Sequence, residues 1–245
     1  MKNLQFSALH VGDLHGRIYH FERAIEMFER DKLDKIVFMG DYVDSFNCTN
    51  IEIKYLLEQV ISYKKKNPNK VICLLGNHDQ QYIHSPAYRC SGFRAELQPD
   101  LYKLFRDNRE MFQVAWLNGN YMCTHAGILS DWLYRYNDRL SYYEEKLGID
   151  KRNNLDVLLN AINDSHDEWI LNTVPTIRGG VAGSIGGIMW ADTSEIKKDG
   201  CVHRFNHIVG HNQVNDIEIY QHKGGPTVIF TDCLSKSDNF FILKD

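Results

Sequence analysis

Short apolar runs recur along the chain, and amphipathic stretches fill the gaps between them. Phe6 to Val11, Ile36 to Met39, Val71 to Leu75 and Tyr121 to Thr124 are apolar runs of strand length and read as buried strands. A further strand ends at Val209-Gly210-His211. Thr227 to Thr231 and Phe240 to Leu243 read as closing strands around the Gly224-Gly225-Pro226 turn. Helical spacing appears in between, with Ile18, Phe21, Ile25 and Phe28 sharing one face. A second helix is predicted from Ile51 to Lys66, stopped by Asn67-Pro68, and a third from about Pro99 to Glu110. Gln80 to Gln98 shows no clear period. Strand followed by helix, repeated, predicts an α/β fold. Trp132 to Val174 reads as a mostly helical insertion, and Arg178 to Gly187 as a glycine-rich loop. With no linker, repeat or low-complexity tract, residues 1–245 are expected to form one domain, with the insertion at about 130–175.

Composition narrows the class. The 245 residues are 43% hydrophobic and 24% charged, with a net charge of -4, which argues against a general nucleic-acid or anionic-membrane binder. No stretch has the length of a membrane span, and the start carries no apolar signal core. The six cysteines form no C-x-x-C pair, and Cys73 and Cys123 fall inside apolar strands, so reduced cysteines and a cytoplasmic location are expected.

The chemistry sits where the strands stop. Successive strands end in Asp13 and His15, Asp41 and Asp44, Asn77 and His78, His125, and His211, most of them beside glycine. One strand ending in Gly-Asp is ordinary turn chemistry. Five strands that all end in Asp, Asn or His imply a shared site, because ligands in open α/β sheets bind beyond the carboxyl ends of the strands. Carboxylate, amide and imidazole without thiolate point to Mn²⁺ first, with Fe or Zn²⁺ as alternatives. The ligands exceed what one octahedral ion needs, so two ions are expected, with Asp41 as the natural bridge. Asp164-Ser165-His166-Asp167-Glu168 is presented by no apolar strand and reads as surface. Lys64, Lys65 and Lys66 read as a solvated helix end.

The ordered set GDLHG, GDYVD, GNHD, HAG and GHNQV, with Met189-Trp190-Ala191-Asp192 before the last, resembles the calcineurin-like metallophosphoesterase superfamily. Its order and spacing are most similar to the serine/threonine protein phosphatase branch of bacterial type. The resemblance implies a central β-sandwich flanked by helices and a reaction by direct attack of a metal-bound hydroxide. It implies that Asp13, His15 and Asp41 hold one metal, and that Asp41, Asn77, His125 and His211 hold the other. His78 resembles the family's general acid, and Asp44 the carboxylate that orients it. Phosphoserine or phosphothreonine in proteins is the leading substrate class. A symmetrical dinucleoside-tetraphosphate hydrolase or nucleotide phosphatase is the first alternative, and a non-catalytic metal-binding scaffold the second.

The chain departs from that branch at three places. Ser45-Phe46 stands where Arg-Gly usually follows GDxVD, and Leu75 stands where an arginine usually precedes GNH. Asp232 to Asp238 also lacks the aromatic signature of the C-terminal substrate loop. Two phosphate-gripping arginines are thus missing, and Arg178 is the candidate replacement, with Arg17 the next.

Overall fold

The computed structural model describes residues 4–244. One five-stranded sheet is built from β1 (Ala8–Val11), β2 (Lys35–Phe38), β3 (Val71–Leu74) and β4 (Phe112–Gln113), all parallel, with β10 (Phe241–Leu243) antiparallel on the β1 edge. The second sheet runs in the order β5 (Ala115–Asn118), β6 (Tyr121–Thr124), β7 (Asn206–Val209), β9 (Thr227–Phe230), β8 (Glu218–Gln221). Within it, β6, β7 and β9 are parallel, and β5 and β8 are antiparallel edges.

The two sheets pack face to face. Ala8, Val37, Leu74 and Leu243 of the first meet Cys123, Ile208 and Ile229 of the second in a buried apolar layer. The alternate residues Leu9, Val11, Ile36 and Phe38 point the other way, into a core shared with Phe21 and Phe28 of α1 (Ile18–Arg30) and Leu56 and Val60 of α2 (Asn50–Lys66). A strand covered on both faces has no polar side, which is why these runs are apolar without alternation. The result is an α/β sandwich of two mixed sheets flanked by helices.

The other helices are α3 (Asn77–Ile83), α4 (Gln98–Asp107), α5 (Ser130–Arg135), α6 (Asn137–Leu147), α7 (Lys151–Asn163) and α8 (Thr193–Asp199). Several sequence expectations shift. The first strand starts at Ala8, because Phe6 lies outside the sheet beneath the Lys35 ammonium. Part of the aperiodic stretch is helix: α3 takes up Gln80 to Ile83, only two turns, too short for a periodicity to show. The short strands β4, β5 and β8 and the helix α8 have no counterpart in the sequence pattern. β8 alternates half-buried and exposed residues at a sheet edge.

In the insertion Trp132 and Tyr143 are core residues, whereas Tyr134, Tyr142 and Trp169 are exposed. The 164–168 cluster is not all surface, because Asp167 is buried and accepts from Tyr143 Oη at 3.1 Å. Lys64 is likewise not simply solvated. Its ammonium donates to the carbonyls of Pro68 (2.9 Å) and Val71 (2.6 Å), tying the end of α2 to β3. All six cysteines are free.

Candidate metal centre

The turns after β1, β2, β3, β6 and β7 bring Asp13, His15, Asp41, Asn77, His78, His125 and His211 to one place. Six non-glycine residues among those described have left-handed backbone, and four are here: His15 (φ 43°), Asp41 (φ 53°), Asp44 (φ 59°) and His211 (φ 60°). Side chains with a Cβ resist that region, and they persist there only where several contacts over-determine them. Two glycines make the closeness feasible. A Cβ on Gly76 would lie 2.1 Å from Asp41 Oδ1, and one on Gly210 would lie 2.2 Å from Asp13 Oδ1.

Hydrogen bonds decide which ring nitrogens face inward. His125 Nδ1 lies 2.8 Å from the Met39 carbonyl, and His15 Nδ1 lies 2.9 Å from that of Val43 and 3.0 Å from that of Asp44. A carbonyl only accepts, so each Nδ1 carries the proton, and in the neutral imidazole that ligates a cation each Nε2 presents its lone pair. Both Nε2 atoms face Asp41 Oδ2, at 3.7 Å from His15 and 3.4 Å from His125. Asn77 Oδ1 lies 3.0 Å from His125 Nε2 and 2.9 Å from His211 Nδ1. Asp13 is held across the sandwich by the His211 backbone N–H, 3.1 Å from each carboxylate oxygen. Acceptors aimed at one another are unfavourable unless positive charge lies between them, and backbone carbonyls behind ligating histidines are the usual outer support of a metal site. The residues present therefore fit a pair of cations.

Electrostatics point the same way. Burial, together with the charges of Asp232 and Asp41, pushes the Asp13 carboxyl well above its ordinary range. Asp79 is pushed up to about 7 by burial and by Asp41. Burial and Asp41 push Asp232 up to about 6. At His125 burial works to lower the pKa, but the Asp41 and Asp13 charges prevail and raise it to about 9. His211, crowded by burial, His125 and Arg178, is pushed well below its ordinary value. Acids that crowd one another and draw protons onto a neighbouring imidazole mark a place short of positive charge.

His78 and Asp44 lie beside this cluster, with His78 Nδ1 2.8 Å from Asp44 Oδ2. Burial again opposes the charged imidazole, but the Asp41 charge and the Asp44 hydrogen bond raise the His78 pKa well above its ordinary value. Both residues line a cleft of roughly 1040 Å³ that also exposes Arg17 and Arg178. The Arg178 fork is already engaged: Nε donates to Asp192 Oδ2 and Nη2 to Asn212 Oδ1, each at 2.8 Å. Arg17 Nη1 donates to the carbonyls of Asp13 (3.2 Å) and Leu14 (3.4 Å).

Two buried acids escaped the sequence reading. Asp79 accepts from the backbone N–H groups of Asp41 (2.8 Å), Gly76 (2.9 Å) and Tyr42 (3.1 Å), joining the two central turns. Its signal was an acid at the third helical position of α3, where a carboxylate caps. Asp232 follows the apolar strand β9, the same signature as the other five, and lines the cleft with one carboxylate oxygen unpartnered.

A family model described as calcineurin-like phosphoesterase matches residues 6–179. Among curated relatives, a serine/threonine-protein phosphatase of Caenorhabditis elegans is 30% identical over 121 residues, covering 48% of this chain and 26% of the relative. The serine/threonine-protein phosphatase 6 catalytic subunit of the same organism is 26% identical over 168 residues, covering 66% of this chain and 48% of the relative. This chain thus spans about half or less of the length of these relatives. A solved serine/threonine phosphatase from Saccharomyces cerevisiae aligns with 91% of this chain and 66% of its own, at 18% identity and a TM-score of 0.48. No helix among the described residues is long and apolar enough to cross a membrane. With the family model covering both central turns and the His125 turn, the chain belongs to the calcineurin-like phosphoesterases.

Proposed function

We propose that this protein is a dinuclear metal-dependent phosphatase that cleaves phosphomonoesters by direct attack of water, with phosphoserine and phosphothreonine in proteins as its substrates. The observation that supports this most directly is Asp41 Oδ2, flanked by the lone-pair nitrogens of His15 and His125 at 3.7 and 3.4 Å. Asp13, His15 and Asp41 would hold one ion, and Asp41, Asn77, His125 and His211 the other, with Mn²⁺ the best match to the ligand set. When bound, such a pair polarises the phosphoryl group and lowers the pKa of water from about 15.7 towards 7.

The chain's own groups supply the rest. The carbonyls of Met39, Val43 and Asp44 hold His125 and His15 in the tautomer that ligates. His78, with Nδ1 engaged by Asp44, offers Nε2 to the departing oxygen and serves as general acid, a contribution on the order of 10²–10⁴-fold. Arg178 binds the phosphate with the donors that Asp192 and Asn212 leave over, and Arg17 adds positive charge beside the turn that carries Asp13 and His15.

A second reading, cleavage of a dinucleoside tetraphosphate or nucleotide, is favoured by the room in the cleft and by two further cations on it. Arg89 and Lys236 line the cleft without a carboxylate partner among the described residues. Phosphate release with Mn²⁺ should be measured on a phosphoserine peptide, a dinucleoside tetraphosphate and p-nitrophenyl phosphate. Release from the peptide at the highest kcat/KM is expected. Preference for the tetraphosphate would favour the second reading, and two bound ions with no release from any would leave a metal-binding scaffold.

A further inference from the structure

Asp44 is gripped from one helix face. His78, Gln81 and Tyr82 stand at positions i, i+3 and i+4 of α3, a spacing that puts all three on the same side. All three meet Asp44: His78 Nδ1 and Gln81 Nε2 at Oδ2, and Tyr82 Oη at Oδ1. Asp44, Gln81 and Tyr82 are buried.

A second segment sets the direction of these bonds. The Arg94 backbone N–H donates to Tyr82 Oη at 2.9 Å, so the hydroxyl proton is left for Asp44. The Cys90 backbone N–H donates to Gln81 Oε1 at 3.1 Å, which turns the amide so that Nε2 faces Asp44. Gly92, at φ 83°, packs against the stem of Asp44, where an added Cβ would come within 3.3 Å of Asp44 Cβ. Phe93 stacks on Tyr82 with ring centroids 5.1 Å apart. The Arg94 side chain then reaches past Asp44, donating to the carbonyls of Ser45 and Cys48 and to Asn50 Oδ1. Asp44 is thus enclosed between α3 and residues 90–94, with its left-handed backbone held on both sides.

We propose that Gln81 and Tyr82 are positioning residues for the Asp44–His78 pair. They fix the rotation of the Asp44 carboxylate so that Oδ2 stays in line with His78 Nδ1, and residues 90–94 fix them in turn. The proposal rests on the phosphatase reading, in which His78 protonates the leaving oxygen. A carboxylate held only at His78 is free to turn about its Cβ–Cγ bond, and the imidazole then loses the alignment that proton transfer needs. Simple polar packing offers a rival account, under which removing the hydroxyl would weaken the fold and all activities alike.

The leaving group separates the two. Phenyl phosphate needs its oxygen protonated and p-nitrophenyl phosphate scarcely does. Tyr82→Phe keeps the ring and its stacking on Phe93. It is expected to lower kcat on phenyl phosphate about tenfold, the scale of one hydrogen bond to a charged group, and kcat on p-nitrophenyl phosphate less than about twofold, with metal content unchanged. Gln81→Met should show the same split, which keeps the test open if either variant folds poorly. In an Asp44→Asn background Tyr82→Phe should add nothing on phenyl phosphate, because both changes act through one group. Equal losses on both substrates, or independent multiplying effects in the double variant, would reduce Gln81 and Tyr82 to packing. Absence of phosphate release by the wild-type protein on both substrates would overturn the phosphatase reading itself.

Discussion

Arg178 Nε donates to Asp192 Oδ2 at 2.8 Å, so the arginine reaches the cleft already held from behind. Asp192 also caps α8, accepting from Ser194 N, and Asn212, the second partner of Arg178, follows His211 directly in the chain. The guanidinium therefore connects the glycine-rich loop, α8 and the turn after β7. Its position is set by contacts that a single ammonium cannot reproduce while also facing phosphate.

Arg178→Lys should consequently lower kcat/KM for phosphomonoesters about ten- to a hundredfold, the equivalent of roughly 1.5–3 kcal/mol, while keeping both ions. Steady-state kinetics beside elemental analysis decides it. Wild-type kcat/KM in the variant would make Arg178 a bystander and turn attention to Arg17 and Arg89.

Asp41 faces two imidazole lone pairs with one oxygen and accepts from the His78 backbone N–H at 2.9 Å with the other. Asp41→Asn should drop the metal content to one ion or fewer and abolish turnover. Two full equivalents with normal turnover would refute a bridging role.

Gly210 needs no unusual backbone, but it lies against Asp13, so its role is steric. Gly210→Ala places a methyl group 2.2 Å from Asp13 Oδ1 and forces the carboxylate away. The expected outcome is loss of the ion held by Asp13 and His15, read as metal stoichiometry, with a cooperative thermal transition retained. Unchanged stoichiometry would mean that Asp13 is not a ligand.

His10 lies fully buried on β1 with neither ring nitrogen in a well-formed hydrogen bond, and burial pushes its pKa down to about 3. In the unfolded chain the imidazole titrates near 6.5. Above that pH both states are neutral and His10 adds no pH dependence. As the pH falls from 6.5 towards 3 only the unfolded chain takes up the proton, so stability falls by about 1.4 kcal/mol per pH unit. His207, pushed down to about 4 by burial, acts in the same direction. His10→Phe should therefore gain on the wild type progressively between pH 6.5 and 5. Thermal unfolding of both proteins across that range tests it, and a gap that does not change with pH would refute it.

The apolar strands and the polar turns that end them were legible in the sequence because both depend on local pattern, whereas the sandwich followed only from the family resemblance. Ile36-Val37-Phe38-Met39 is apolar throughout because Val37 and Met39 face the opposite sheet while Ile36 and Phe38 face the helices. Five strand ends then announce themselves by an Asp, Asn or His, most of them beside glycine. The edge strand β8 and the two-turn helix α3 were not legible, since neither is long enough or buried enough to impose a period.

Residue type and order in the sequence determined that these side chains would meet. Only the tertiary structure decided how they are aimed. The lone pairs of His15 and His125 point at Asp41 because the carbonyls of Val43, Asp44 and Met39, from other strands' turns, take their second nitrogens. Arg178 carries nothing in its sequence that marks Asp192 and Asn212 as its anchors. Gln81 and Tyr82 look like ordinary helix residues until the Cys90 and Arg94 N–H groups orient them towards Asp44. Hydrogen-bond direction depends on what lies opposite a group in space, and that information enters only when distant segments pack.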